Sequence, residues 1–173
     1  MQSYLKKKVI DVKTTIQPQY VDKDWRKNLL FNVRKKFEGK CTIDDGYIIN
    51  VKRIVKITDQ RIARLNGNIE FDLSIVIERV LPKIDDRMEV VIDMIFPHGV
   101  FCHHMMLRMM MPISKCGKFT MRQEFSTNSL VCKDTKKVFR KGDLVPIIIN
   151  DVRFENDLYS CIVSLDVEKI EVV

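Results

Sequence analysis

The chain has no long apolar run, no paired cysteine spacing and no familiar catalytic motif, and each absence narrows what it can be. No stretch approaches the roughly 18 uninterrupted apolar residues of a membrane-spanning helix. Met1 to Lys8 lacks the apolar segment of a secretion signal. These features predict a soluble, intracellular protein with no membrane partner. The five cysteines, Cys41, Cys102, Cys116, Cys132 and Cys161, are odd in number, widely spread and never in a Cys-x-x-Cys spacing, which suits a reducing compartment. There is no nucleophile elbow, phosphate loop or dinucleotide-binding glycine motif, and no carboxylate pair spaced for acid–base work. The expectation is a chain without catalytic residues or cofactor. On a strand Cys102 and His104 would share a face, but two ligands are too few for zinc and no second spaced pair lies nearby, so no metal is expected.

What is present is a chain of 173 residues, 46% apolar and 31% charged, enough for one ordinary core or two small ones. Its formal charge of +7 is segregated. Residues 1–40 carry eleven Lys and Arg against four Asp and Glu, and residues 108–141 carry nine against two. Residues 41–107 and 142–173 are acidic by two and five charges. Basic blocks of this kind attract polyanions such as phosphate backbones over a Debye length, and a solvated lysine-rich surface accounts for them equally well.

The periodicity changes along the chain. Tyr4 to Ile16 alternates and is rich in Val, Ile and Thr, which predicts a strand. Val21, Trp25, Leu29, Leu30, Val33 and Phe37 then recur at spacings of three and four, which predicts one amphipathic helix, the only long one. Asp22 and Asp24 fall in its expected first turn, Lys35 and Lys36 in its last, and Gly39 follows as a stop. Tyr47 to Ile57 and Ile69 to Ile77 read as two strands joined through Asn66-Gly67. The first domain is thus β-α-β-β over residues 1–82, ending near Pro82 and Asp85-Asp86. Over 83–173 short strands recur at Met88–Phe96, Val100–His104, Leu107–Met111, Phe119–Phe125, Leu144–Phe154 and Leu158–Asp166. Pro97-His98-Gly99, Cys116-Gly117, Lys141-Gly142-Asp143 and Glu155-Asn156-Asp157 separate them, the pattern of a small closed barrel for which the OB-fold is the natural candidate. Glu168 to Val173 is read as an edge strand returning to the first domain.

Glu38-Gly39-Lys40-Cys41-Thr42, a short acidic turn, Gly46-Tyr47-Ile48-Ile49, and then Asn66-Gly67, Phe71 and Pro82 follow the helix in order. This run resembles the stalk subunit of multisubunit DNA-directed RNA polymerase. That family comprises the seventh subunit of RNA polymerase II, its paralogues in the other nuclear polymerases, its archaeal counterpart and relatives in large DNA viruses. The resemblance spans nearly the whole chain and is most specific in Glu-Gly-x-Cys…Gly-Tyr-Ile. It implies an α+β chain, with a ribonucleoprotein-like tip domain (β-α-β-β) at 1–82 and an OB-fold β-barrel at 83–173. It also implies no catalytic activity, and a location in nucleus or cytoplasm, or in a virion or viral factory if the host is a virus. The implied partners are the polymerase core subunits, a fourth-subunit-like stalk partner, initiation factors and emerging single-stranded RNA.

By the same resemblance Gly39, Lys40, Cys41, Thr42, Asp44, Asp45, Gly46 and Tyr47 form a loop that docks on the polymerase core. Two glycines that free the backbone, two flanking strands and an amphipathic Tyr47 ring suit an anchor; spacing alone favours a plain β-turn with Gly39 as a helix stop, and the resemblance reverses that preference. Replacing Gly46 and Tyr47 is then expected to weaken docking and leave the isolated fold intact. In the second half Phe101 is a candidate to stack on a base, with Arg108, Lys118 and Arg122 along the phosphates. The alternative places Phe101 in the core and leaves the cations solvated. Family members often carry further glycines and a small polar run after the segment matching His98 to Phe101, whereas this chain has His103-His104-Met105-Met106-Leu107-Arg108-Met109-Met110-Met111, a run suited to adaptable packing. A free-standing OB-fold RNA-binding protein of translation or RNA turnover is the second reading, and a purely structural interaction module the third.

Overall fold

A computed structural model describes residues 5–124 and 127–171. The chain divides into two units, Met1–Leu81 and Pro82–Val173. It is mostly β.

In the first unit β1 (Lys6–Ile16), β2 (Cys41–Thr42), β3 (Gly46–Ile62) and β4 (Ile69–Val80) form an antiparallel sheet in the order β1-β4-β3-β2. Alternation dictates the faces: Val12, Thr14 and Ile16 of β1 point inward while Lys13 and Thr15 face water. Helix α1 (Trp25–Phe37) lies on the inner face and buries Leu29 and Val33 completely against Val12, Ile16, Val51, Phe71, Leu73 and Ile75. A fully buried leucine of this kind stabilises by roughly 2 kcal/mol. Trp25 stacks on Phe71 with ring centroids 5.7 Å apart.

The helix begins later than its apolar stripe suggests. Val21 is exposed and lies outside it, after a 3-10 turn at Pro18–Tyr20. Asp22 and Asp24 precede the first turn because the Asp22 carboxylate accepts the Asp24 amide at 2.8 Å, a local bond that competes with helix. Lys35 and Lys36 occupy the last turn as the sequence predicts, and Arg34 joins them there. Gly39 has φ +78°, and its amide donates to Ile48 O at 2.8 Å, so the helix stop is tied directly to β3. The Glu38 carboxylate accepts the Val51 amide at 2.8 Å and Arg34 Nε donates to Val51 O at 3.1 Å, which fixes the helix end against the strand. The β3–β4 hairpin closes at Ile62–Ile69 over a turn holding Gly67 at φ +70°. Tyr4 of the predicted first strand lies outside the described residues.

In the second unit β5 (Arg87–Phe96), β6 (Gly99–His104), β7 (Leu107–Pro112), β11 (Leu144–Glu155) and β12 (Leu158–Leu165) close into a barrel in the order β11-β12-β7-β6-β5. β7 and β12 run parallel and the other barrel pairs antiparallel, an arrangement compatible with an OB-like fold. Bulges between Ile92 and Met94 and between Ile149 and Asp151 bend the two longest barrel strands, the usual way a short sheet curls shut. Met109 and Met111 are core residues, while Met105 and Met106 are exposed in the β6–β7 turn.

Two expectations fail here. The strand beginning at Phe119 is not a barrel strand: β8 (Phe119–Glu124) pairs with β9 (Thr127–Cys132), which pairs with β10 (Val138–Phe139), in a separate three-stranded sheet. Phe125 lies outside the described residues. β9 escapes a search for apolar alternation because its inward positions include Ser129, only 7% exposed, whose hydroxyl donates to Arg122 O at 3.3 Å. Nor is Glu168 onward an edge strand. Val167–Glu171 is a short helix, α2, whose Val167 and Ile170 sit one turn apart and line a common cleft with Phe119 and Cys132. Val172 and Val173 lie outside the described residues. No helix among the described residues is long and apolar enough to cross a membrane.

Candidate tip hairpin and barrel face

The eight candidate docking residues form a small hairpin that grows out of the α1–β3 junction. Cys41 pairs with Tyr47 and Thr42 with Gly46. Thr42 Oγ1 accepts the Asp45 amide at 3.1 Å across the turn. Two cations from the flanking strands brace this turn: Lys8 Nζ meets Asp45 at 2.6 Å, and Arg79 Nη1 donates to Asp44 O at 2.9 Å and lies 3.8 Å from Asp45.

The hairpin divides the candidates into two sets. Gly39, Lys40, Thr42 and Asp44 are exposed and Asp45 is half-buried, whereas Cys41, Gly46 and Tyr47 are buried. Tyr47 is only 3% exposed, so its ring cannot serve as the outward anchor that its chemistry suggested. Gly46 holds φ +70°, and a Cβ there would fall 2.2 Å from Val80 O. The expectation that changing these two residues spares the fold is therefore overturned: both are packed inside their own unit. The side chain that does project is Ile43, 64% exposed between Thr42 and Asp44. Motif spacing does not single it out; an apolar residue inside an otherwise polar, acidic turn is the signal the sequence offers.

On the barrel, strand register builds a surface row that sequence spacing does not display. Met94 is opposite Phe101, Phe101 opposite Met110, and Met110 opposite Ile162, across β5, β6, β7 and β12. Phe101 is 47% exposed and its ring stacks on Phe96 at 4.9 Å, so it belongs to the outer face. The next row aligns His103, Arg108, Ser160 and Arg153. Phe101 and Arg108 thus come together on one face. Lys118 and Arg122 belong elsewhere: Lys118 Nζ meets Asp134 at 2.6 Å just before β8, and Arg122 is opposite Ser129 in the three-stranded sheet.

His103 Nδ1 contacts Asp93 Oδ1 at 2.6 Å and His104 Nδ1 contacts Glu89 O at 2.9 Å, while Cys102 points inward to Met109 O. No group of three or more His, Cys, Asp or Glu among the described residues is placed to hold a metal ion.

All five cysteines are buried thiols. Burial pushes Cys102 and Cys161 up to about 12 and Cys116 up to about 11. Cys132 moves the other way, because the Thr135 hydroxyl and amide stabilise its thiolate. Cys132 also lines the cleft beneath α2. At neutral pH a small alkylating reagent is expected to modify Cys132 ahead of Cys102, Cys116 and Cys161, as read by peptide mapping at early times. Earlier labelling of Cys102 or Cys161 would contradict this assignment.

No protein-family model matches the chain, and no curated protein matches it.

Proposed function

We propose that the chain is a non-catalytic stalk subunit of a multisubunit DNA-directed RNA polymerase, with a ribonucleoprotein-like tip in residues 1–82 and an OB-fold in 83–173. The observation that carries this reading is the succession of two units. A helix runs directly into a braced hairpin on an antiparallel sheet, and a five-stranded closed barrel with a single parallel pair, β7 with β12, follows. In this role the exposed turn Thr42–Asp45, with Ile43 at its tip, contacts the polymerase core, and buried Tyr47 and Gly46 hold that turn in place. The outer barrel face around Phe101 and Arg108 meets emerging single-stranded RNA, and a fourth-subunit-like chain completes the stalk. The nucleus or cytoplasm of the host, or a viral factory, is the matching location.

The test is recovery of the tagged chain from its own cells at gentle salt with its partners identified by mass spectrometry. The two largest polymerase subunits are expected, and their consistent absence sinks the proposal. Ile43→Asp should abolish that recovery and shift stability by no more than about 0.5 kcal/mol, as is usual for an exposed site.

A free-standing RNA-binding protein is the second reading, favoured by the exposed Phe101 ring, stacked on half-buried Phe96, beside Arg108. Such a protein binds single strands tightly alone, with affinity falling steeply as salt rises, whereas a stalk subunit binds them weakly until assembled. Under either reading Phe101→Ala is expected to weaken single-strand binding by about 1–3 kcal/mol, the worth of one base–aromatic stack.

A further inference from the structure

The first unit contains a second surface feature, independent of the hairpin and of the polymerase reading. Between α1 and β3 lies a cleft of about 390 Å³, lined by Arg26, Arg53 and Lys56 around an apolar floor of Leu30, Ile54 and Ile57. Its origin is the irregularity of β3. Register shifts against β4 fall between Ile48 and Asn50, Val51 and Arg53, Ile54 and Lys56, and Ile57 and Asp59, one extra residue every third position. A regular strand sends alternate side chains to opposite faces. Repeated bulges coil this one, so that five consecutive residues, 53 to 57, line the same cleft.

The charges there are unbalanced. Lys8, Lys13, Lys27, Arg34, Lys52, Arg61 and Arg79 of the unit each lie beside a carboxylate, whereas Arg26 lies over the Trp25 ring, its Cζ 5.4 Å from the centroid. Arg26, Arg53 and Lys56 have no ion pair among the described residues, and no acidic residue lines the cleft. Three cations around an apolar seat match carboxylates flanking an apolar side chain, with each guanidinium able to take a carboxylate through two hydrogen bonds. Single-stranded nucleic acid fits less well, because no aromatic ring lines the cleft to stack on a base. Strand addition is also disfavoured, since bulges interrupt the edge a partner strand would need.

We infer that the α1–β3 cleft is a docking site for an acidic peptide segment of a partner protein, one that seats a Leu-type side chain over Leu30, Ile54 and Ile57 and sets its carboxylates against Arg26, Arg53 and Lys56. The test uses the full chain and a short labelled peptide of glutamates around a Leu-Leu pair, titrated by fluorescence anisotropy at low salt. Parallel titrations use the same peptide with Ser-Ser at its centre, a lysine version and a single-stranded oligonucleotide. The Glu–Leu peptide should bind saturably and best of the four, and perturb the backbone amides of residues 53 to 57 in a nuclear magnetic resonance titration. Arg53→Glu/Lys56→Glu should weaken it about tenfold or more, the scale of two reversed contacts at a partly exposed interface. Both residues are exposed, and unchanged Trp25 fluorescence on urea titration verifies that the variant is folded. Val55→Asp, at a residue 53% exposed on the rim, supplies a second variant expected to weaken binding. Four outcomes overturn the inference: no saturable binding of the Glu–Leu peptide, equal binding of the Ser-Ser peptide, stronger binding of the oligonucleotide at this cleft, or affinity indifferent to the charge reversal.

Discussion

Gly46→Ala will lower the stability of the first unit by about 3 kcal/mol, and Gly46→Val by more. Two costs add. A non-glycine residue at φ +70° meets its own carbonyl, worth roughly 1–2 kcal/mol. The new Cβ then falls 2.2 Å from Val80 O and 2.9 Å from Leu81 Cα, and relieving such overpacking costs typically 1–3 kcal/mol. The obstruction is backbone, and Val80 is held opposite Tyr47 in the β3–β4 ladder, so it cannot swing aside like a side chain. Trp25 is the chain's one tryptophan and packs in this unit, which makes its fluorescence a selective probe of the transition in urea. Gly39→Ala is the internal control. Gly39 has φ +78° but nothing within 4 Å of its would-be Cβ, so only the conformational cost, roughly 1–2 kcal/mol, is expected there. Equal losses for the two variants would show that Gly46 is not seated against β4.

That comparison also shows what the sequence could and could not convey about the hairpin. Glycines at 39 and 46 announce left-handed backbone, and both have it. What they do not announce is which of the residues between them turn inward. That depends on the Cys41–Tyr47 pairing and on the end of β4, more than thirty residues further along the chain. Tyr47 therefore looks like an anchor in the sequence when it is a core residue, and Ile43 is marked only by being apolar in an acidic turn. The helix stripe from Trp25 to Phe37 is legible because Leu29 and Val33 answer to one apolar surface. Its start is not, since the Asp22 carboxylate captures the Asp24 amide in place of a helical turn. On the barrel side the individual strands stand out by alternation, but β9 and β10 do not. Ser129 donates to Arg122 O, so a polar residue occupies a buried position where the pattern calls for an apolar one. Register explains the rest: Phe101 and Arg108 meet through the β6–β7 ladder, while Arg122 belongs to another sheet and Lys118 to the turn just before it. The α1–β3 cleft depends on four bulges, for which periodicity has no signal at all.

Alkaline pH will destabilise the second unit selectively. Cys102, Cys116 and Cys161 all belong to it, and burial raises their thiols from an ordinary 9.0 to about 12, 11 and 12. A raised thiol pKa means the folded chain holds its proton more tightly than the unfolded chain does. The corresponding stability is complete below pH 9 and is lost progressively as pH climbs from 9 toward 11 and 12, because only the unfolded thiols ionise in that window. Between pH 8 and pH 10 each such thiol costs on the order of 1 kcal/mol, a loss that the lowered Cys132 thiol of the same unit offsets in part. Urea titrations followed by far-ultraviolet circular dichroism at pH 8 and pH 10 measure the loss, with the Trp25 curve identifying the first unit's transition. Lysine and tyrosine titration contribute to any alkaline shift, and Cys102→Ala/Cys161→Ala separates them. That variant loses stability at both pH values through its cavities, but the thiol-dependent fall between pH 8 and pH 10 should shrink, because Cys116 is then the one raised thiol of the three that remains. An undiminished fall would mean that these buried thiols are not what holds the barrel's pH limit.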